Sequence, residues 1–375
     1  MIQNNPFVIY GYESEEYFCD RVEETRQMLQ LLTQTGNVLL TAQRRIGKTG
    51  LIEHCFHQEE ICGHYHTFLI DIYATKKLNE FVYLFGKSVM DVLRTQGETV
   101  WCRFLTFLSS LRPNVTFDAM GIPSWGIEIG DIKTPQVTLQ EIFSYLEQAD
   151  KPCIVAFDEF QTIASYPEKN IEALLRTHIQ HSKNVRFIFS GSQRHLLAEM
   201  FNSAARPFYQ STVQMTLQPI VLSHYIDFAR HHFQSFGKAI LPATVETVYQ
   251  RFDGITWYVQ YMLNVLFTMT SEKDVCTPDR VESAIDTVIS QMDYSMSSLI
   301  FQLPSKQKEL LWALCREGKT QNLTAKKFLN KYKLTASMVQ AAIKGLLEKD
   351  YVSCELGTYF VYDKFLAEWM LRKMG

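Results

Sequence analysis

A glycine-lysine-threonine step set between an apolar strand and a helix leaves a chain few choices of fold. Asn37-Val-Leu-Leu-Thr41 reads as a short strand, and a helix carrying Leu51, Ile52 and Cys55 begins near Gly47. Between them lie Ala42, Gln43, Arg44, Arg45, Ile46, Gly47, Lys48 and Thr49, with Gly50 following in the helix. This is the G-x-x-x-x-G-K-[ST] pattern with alanine at its first position. In such a loop successive backbone N–H groups curl around phosphate oxygens at a helix N-terminus. Gly47 permits close approach, Lys48 reaches the outer phosphates and Thr49 ligates Mg2+. Alanine is the smallest departure from glycine, and it matters only if position 42 needs a positive φ. Without its flanks the segment is a basic turn; with a strand before it and a helix after it, it predicts a cradle for ATP and Mg2+.

A cradle binds nucleotide, whereas hydrolysis also needs a metal ligand shell and a means of positioning water. Cys153 to Phe157 is an unbroken apolar run that ends in Asp158 and Glu159, as expected of a central parallel strand covered on both faces. Ligands of open parallel sheets bind at such strand ends. Asp158 is therefore predicted to orient metal-bound water, and Glu159 to polarise the attacking water. The bland alternative is a solvated acidic turn. A second apolar strand, Val185 to Ser190, ends in Gly191-Ser192-Gln193-Arg194. Ser192 or Gln193 is placed to sense the terminal phosphate, unless this is only a turn leading into the helix His195 to Phe201.

The rest of the chain gives these elements a setting. At 375 residues, it holds about two or three domains. Periodic or apolar segments at Glu15–Thr33, Tyr65–Tyr73, Leu78–Leu93 and Leu139–Ala149 complete an α/β pattern. Alternation at Val115, Phe117, Trp125, Ile127 and Ile129 predicts an inserted hairpin within about 110–137. From Leu222 the pattern turns helical, at Tyr225–Phe236, Pro242–Phe252, Thr256–Thr268 and Pro278–Met292. Helices at Ser305–Arg316, Thr324–Tyr332 and Thr335–Lys349, then strands at Tyr351–Glu355 and Tyr359–Tyr362, make a winged helix-turn-helix pattern.

With 46% apolar and 21% charged residues the composition is globular, and no apolar run approaches the roughly 20 residues that span a bilayer. The polar start Met1 to Pro6 lacks the features of a signal peptide, so a cytoplasmic location with no membrane partner is expected. The eight cysteines are scattered singly, and Cys55, Cys153 and Cys315 lie in apolar runs that predict buried thiols.

Taken together, several segments resemble the archaeal-type ATPase family, of the STAND branch of AAA-like P-loop ATPases, including its bacterial members. They are Asn5-Pro6-Phe7, Phe18-Cys-Asp-Arg21, Arg44-Arg45-Ile46-Gly47-Lys48-Thr49, Phe157-Asp158-Glu159-Phe160-Gln161, Ser190-Gly191-Ser192 and Pro207-Phe208-Tyr209. The resemblance implies a P-loop NTPase core with a central parallel sheet (1–221), a helical lid domain (222–296) and a C-terminal winged helix (297–375). It also implies that Asn5, Phe7 and Arg21 lie near the adenine. Two positions depart from the family pattern. Gln210 and Ser211 stand where an arginine commonly follows Pro207-Phe208-Tyr209, leaving Arg206 or Arg194 to touch the terminal phosphate. Gly254-Ile255-Thr256 lacks the proline of the lid's Gly-x-Pro.

The C-terminal module is basic: Pro304 to Gly375 holds 13 Lys and Arg against 7 Asp and Glu. Thr324 and Thr335 are expected N-caps, and Leu329, Leu334, Val339, Ile343, Leu346 and Leu347 a core stripe. Ser337, Gln340 and Lys344 would face a major groove, with Lys326, Lys327 and Lys331 near phosphates. Winged helices also serve as packing modules inside ATPases, so DNA, a protein partner and self-association all stay open as partners beside ATP and ADP. The expected activity is Mg-dependent ATP hydrolysis with Lys48, Glu159, Ser192 and Arg206 at the reacting phosphate, coupled to rearrangement of lid and winged helix. A slow nucleotide-dependent switch and an ATP-responsive DNA-binding regulator are the alternatives.

Overall fold

The computed structural model describes residues 5–34, 36–95, 114–117, 123–126 and 132–373. They form two compact units, Tyr10–Ile220 and Val221–Gly375, the second including Met1–Ile9. In the first unit the strands are β1 (Val38–Thr41), β2 (His66–Asp71), β3 (Asn114–Phe117), β4 (Pro123–Gly126), β5 (Cys153–Asp158), β6 (Val185–Gly191) and β7 (Val213–Thr216). Its helices are α1 (Val22–Thr33), α2 (Lys48–Phe56), α3 (Leu78–Thr95), α4 (Pro135–Glu147), α5 (Ile171–His181) and α6 (Arg194–Asn202). Five strands make one sheet in the order β2-β5-β6-β1-β7, every pairing parallel.

This order explains the apolar runs. β1 and β5 lie between two neighbours, and all their residues are buried. β7 is an edge strand with Val213 and Gln214 exposed, so its four residues carry no strong strand signal. β6 lies between the strand that feeds the glycine-lysine-threonine loop and the strand that ends in Asp158. In register, Asp71 pairs with Asp158 and Thr41 with Gly191, which brings the functional strand ends level. β3 and β4 pair antiparallel as a hairpin, while Ile127 and Ile129 lie outside the described residues.

One helix over Glu15–Thr33 is not what forms. A single 3-10 turn at Glu15–Tyr17 is followed by Asp20 and Arg21 at φ 58° and 69°, and α1 starts only at Val22, which is 58% exposed. Two successive left-handed residues cannot continue a right-handed helix. The core is unusually aromatic. Phe157, Phe160, Phe189, Phe201 and Phe208 are all buried, and Phe208 sets its ring edge-on to Phe160 at 5.5 Å. The Pro207-Phe208-Tyr209 segment therefore plugs the core beneath the residues that follow β5. Cys55, Cys153 and Cys315 are free and buried, and burial pushes each thiol up to about 12.

The second unit contains α7 (Leu222–Ser235), β8 (Ala239–Ile240), α8 (Pro242–Arg251), α9 (Thr256–Met269), β9 (Val275–Cys276) and α10 (Arg280–Phe301). It continues with α11 (Ser305–Glu317), α12 (Lys326–Tyr332), α13 (Ala336–Glu348), the antiparallel hairpin β10 (Val352–Glu355) and β11 (Thr358–Val361), and α14 (Lys364–Lys373). Thr335 caps α13 by accepting from Met338 N. Thr324 caps nothing, because α12 begins two residues later with Ala325 at its N-cap. Leu334, Val339 and Leu346 are buried, whereas Leu329, Ile343 and Leu347 are half-buried and Phe328 takes the inner position on α12.

Among the described residues no helix is long and apolar enough to cross a membrane.

Candidate nucleotide site

The loop between β1 and α2 has the backbone of an anion cradle. Arg45 at φ 67° and Gly47 at φ 97° are both left-handed, and such kinks turn successive N–H groups to one side. Ala42 is buried and is not among the positive-φ residues, so alanine satisfies that position without strain. Arg21, 3% exposed, donates from Nη2 to the carbonyl of Ile46 at 3.3 Å and from Nη1 to Glu24 at 2.6 Å. It thus braces the loop from behind.

Asn5 and Phe7, expected beside the base with Arg21, belong to the other unit. Phe7 is fully buried against Phe228, His232, Phe233 and Phe267, each ring centroid 5.8 Å away, and the Asn5 amide donates to Asn264 O at 2.9 Å. These contacts anchor the N-terminal segment on the helices of its own unit.

At the sheet end, Thr49 Oγ1 donates to Asp158 Oδ2 at 2.7 Å, joining residues 109 apart in sequence. Asp158 Oδ1 accepts from Glu159 N at 3.0 Å. A hydroxyl and a carboxylate are hard oxygen donors, which suit Mg2+ bound in part by substrate phosphates. Among the described residues no cluster of three His, Cys, Asp or Glu could hold a metal alone. Lys48 is 6% exposed. Burial lowers its pKa from the ordinary lysine value, the charges of Glu159 and then Asp158 oppose this, and Arg44 adds to the lowering.

Glu159 sits in left-handed backbone at φ 54°, directly after β5. Its Oε2 accepts from Ser192 Oγ at 2.8 Å, from Ser192 N at 3.3 Å and from Gln161 Nε2 at 2.6 Å. Ser192 Oγ in turn accepts from Arg44 Nε at 3.0 Å, and the Arg44 guanidinium lies 5.9 Å from the Tyr73 ring centroid. Arg44, Ser192, Glu159 and Gln161 thus form one chain from the cradle across two strand ends. Gln193 stands at the N-cap of α6 without a side-chain capping bond.

Two further placements bear on the site. Arg206, expected to touch the terminal phosphate, pairs with Glu172 at 3.3 Å and Glu199 at 3.2 Å, on α5 and α6. Asp71, which the sequence reading passed over, ends β2 beside Asp158. Burial raises its carboxyl pKa, a bond from Tyr73 N lowers it, and Asp158 and Glu159 raise it further. The rule that pointed to Asp158 and Ser192, polar residues at parallel strand ends, also points to Asp71.

On the winged helix, Lys326, Lys327, Lys331, Ser337, Gln340 and Lys344 are all exposed. Lys331 is paired with Glu317 at 2.5 Å.

Comparison with known proteins agrees with this fold. The family described as "ATPase domain predominantly from Archaea" matches residues 18–262, and one described as "Probable winged helix domain" matches 294–372. No curated protein matches the chain in sequence. Solved structures share its fold. A Walker-type ATPase of Pyrococcus abyssi covers 98% of this chain and 99% of its own, with a TM-score of 0.65 and 18% identity. The ORC2 protein of Aeropyrum pernix, in ADPNP–ADP complexes, covers 100% and 99% with a TM-score of 0.56 and 13% identity. The ORC1 protein of Aeropyrum pernix, in complex with DNA, covers 94% and 91% with a TM-score of 0.52 and 14% identity. With its loop, its parallel sheet and the matched span, the chain belongs to the family of ATPase domains found predominantly in Archaea, and carries a winged helix at its C-terminus.

Proposed function

We propose that this protein binds ATP with Mg2+ and hydrolyses it at the carboxyl end of the β5-β6-β1 strands. One observation carries the reading: the Thr49–Asp158 hydrogen bond joins the start of α2 to the end of β5, and Glu159 is the residue that follows. In this reading the cradle amides and Lys48 bind the phosphates, and Thr49 and Asp158 hold the metal. Bound there, the metal would screen charge on the outer phosphates. Glu159 accepts a proton from the attacking water, and Ser192 meets the terminal phosphate through its hydroxyl. Ser192 is favoured over Gln193 because its hydroxyl already touches both Arg44 and Glu159.

The finer part of the proposal is that nucleotide state alters the helical unit and its winged helix, so that turnover resets a conformational state. DNA is the second reading for the partner. The exposed Lys326, Lys327, Ser337, Gln340 and Lys344 favour it, and an ORC1 protein of the same fold is known in complex with DNA. A single-turnover assay with Mg2+ or with a chelator, with and without duplex DNA at low salt, tests both readings. No hydrolysis with Mg2+ overturns the first, and no DNA affinity at low salt, where phosphate contacts are strongest, overturns the second.

A further inference from the structure

We propose that Gln161 is a positioning residue for Glu159, holding the carboxylate in place when the Ser192 hydroxyl turns to the terminal phosphate. This rests on the hydrolysis reading above. Glu159 has three donors in the structure, and two of them belong to Ser192. A hydroxyl has one proton to give, so if Ser192 Oγ donates to phosphate it no longer donates to Glu159. Gln161 Nε2, at 2.6 Å, is the side-chain donor that remains. Among the described residues all three donors reach Oε2, which leaves Oε1 for a water molecule.

The local backbone is built for this contact. Residues two apart do not face each other on an ordinary helix. Here the left-handed Glu159 is followed by a 3-10 turn over Phe160–Ser165, and the Gln161 side chain comes back onto its own neighbour. Gln161 is 4% exposed, and its Oε1 is buried without a hydrogen-bond partner. The end of β6 makes room for that amide. A Cβ at Gly191 would stand 2.0 Å from Gln161 Oε1 and 2.9 Å from Leu197 Cδ1, and Gly191 has no positive φ to require glycine for its own sake. The Gln161 amide is the group that a side chain at Gly191 would meet most closely.

The test compares steady-state hydrolysis and ATP affinity of the full chain as wild type, Glu159→Gln, Gln161→Leu, Gln161→Met and Gly191→Ala. The two apolar variants keep the side-chain volume and remove the donor, and either one that folds decides the matter. The proposal expects kcat to fall at least about tenfold while KM and ATP affinity stay within about threefold and the melting temperature does not fall. Gly191→Ala, which pushes the amide away, should show the same split. Combining it with Gln161→Leu should be no slower than the slower single variant. A Gln161 variant that turns over like wild type overturns the proposal and leaves the hydrolysis reading standing. So does a loss of kcat matched by equal losses of affinity and stability. If wild type does not hydrolyse ATP, or Glu159→Gln does so at the wild-type rate, the hydrolysis reading falls and the role of Gln161 with it.

Discussion

Thr49 and Asp158 are hydrogen-bonded to each other at 2.7 Å, so two groups expected on one metal ion are already in contact. Their contact couples the start of α2 to the end of β5. Removing the carboxylate should therefore act on the metal-dependent part of binding. We expect Asp158→Ala to weaken binding of ATP with Mg2+ by about 10- to 100-fold, while binding in excess chelator changes little. Calorimetry in both conditions measures the difference, and equal weakening in both would remove Asp158 from the metal site.

Lys48 gives a prediction with a definite sign. Burial lowers its pKa in the nucleotide-free protein, and phosphate oxygens beside the ammonium would raise it again. Below the lowered value the lysine is charged in both states, and no proton moves. As pH rises toward the ordinary value of 10.5, the free protein gives up the proton first, and binding takes one up. The observed binding enthalpy should thus depend on buffer ionisation more strongly at alkaline than at neutral pH. Lys48→Ala should raise Kd at least about 100-fold, roughly 2.7 kcal/mol, because it deletes a charge-assisted contact. Enthalpies independent of buffer across the range would contradict a buried phosphate-facing Lys48.

Arg206 is expected to matter for stability. Its guanidinium lies between Glu172 and Glu199, and burial raises the Glu172 carboxyl, which Arg206 opposes and Glu199 reinforces. Arg206→Ala leaves the side chain of Glu172, only 10% exposed, without its cation. We expect a loss of about 1–2 kcal/mol in denaturant unfolding, discounted because Arg206 itself is one-third exposed, with kcat for ATP unchanged. A large fall in kcat at unaltered stability would return Arg206 to the reacting phosphate.

The elements most directly encoded were those with strong local rules. Five consecutive apolar residues ending in Asp158 and Glu159, and a glycine-lysine-threonine step after a strand, set the topology and place the candidate site at the strand ends. What escaped depends on tertiary context. β7 has one buried residue, Met215, and exists as a strand because β1 offers it an edge. The Gln161 contact needs a left-handed residue at 159, which no residue type there announces. α14 differs: Phe365, Leu366, Trp369 and Met370 are buried at helical spacing, so its signal is present in the sequence itself. The helix expected over Pro278–Met292 runs longer than its apolar pattern, and α10 is unbroken from Arg280 to Phe301. The polar Ser295, Ser297 and Ser298 are simply the solvent face of that helix.

That continuity changes what nucleotide-driven motion in the helical unit should look like. α14 is bound to three helices of the same unit. Lys364 Nζ donates to Asp253 Oδ2 at 2.6 Å, Arg251 Nε pairs with Glu368 Oε1 at 2.6 Å, and Trp369 Nε1 donates to Asp293 Oδ1 at 2.7 Å. Lys364 N also donates to Tyr258 OH at 3.0 Å, near the start of α9. Winged helix and lid helices should therefore respond to nucleotide together, with α10 as a strut and no hinge in it. Burial pushes the Asp253 carboxyl up, but the bond and charge of Lys364, then those of Lys319, hold it below its ordinary 3.8. With the folded value depressed, this contribution is present above pH 3.8 and is lost as pH falls through the folded value. Its size is about 1 kcal/mol for a half-buried pair. Hydrogen exchange across the chain checks both points. Lys364→Ala should raise exchange in α14 near neutral pH and reduce the acid-induced loosening expected of wild type, leaving the part due to Lys319. ATP with Mg2+ should alter exchange in α8, α9, α10 and α14 as a set. A change confined to Asp293–Leu303, with α14 and α9 unaffected, would put a hinge inside α10 and overturn the rigid coupling.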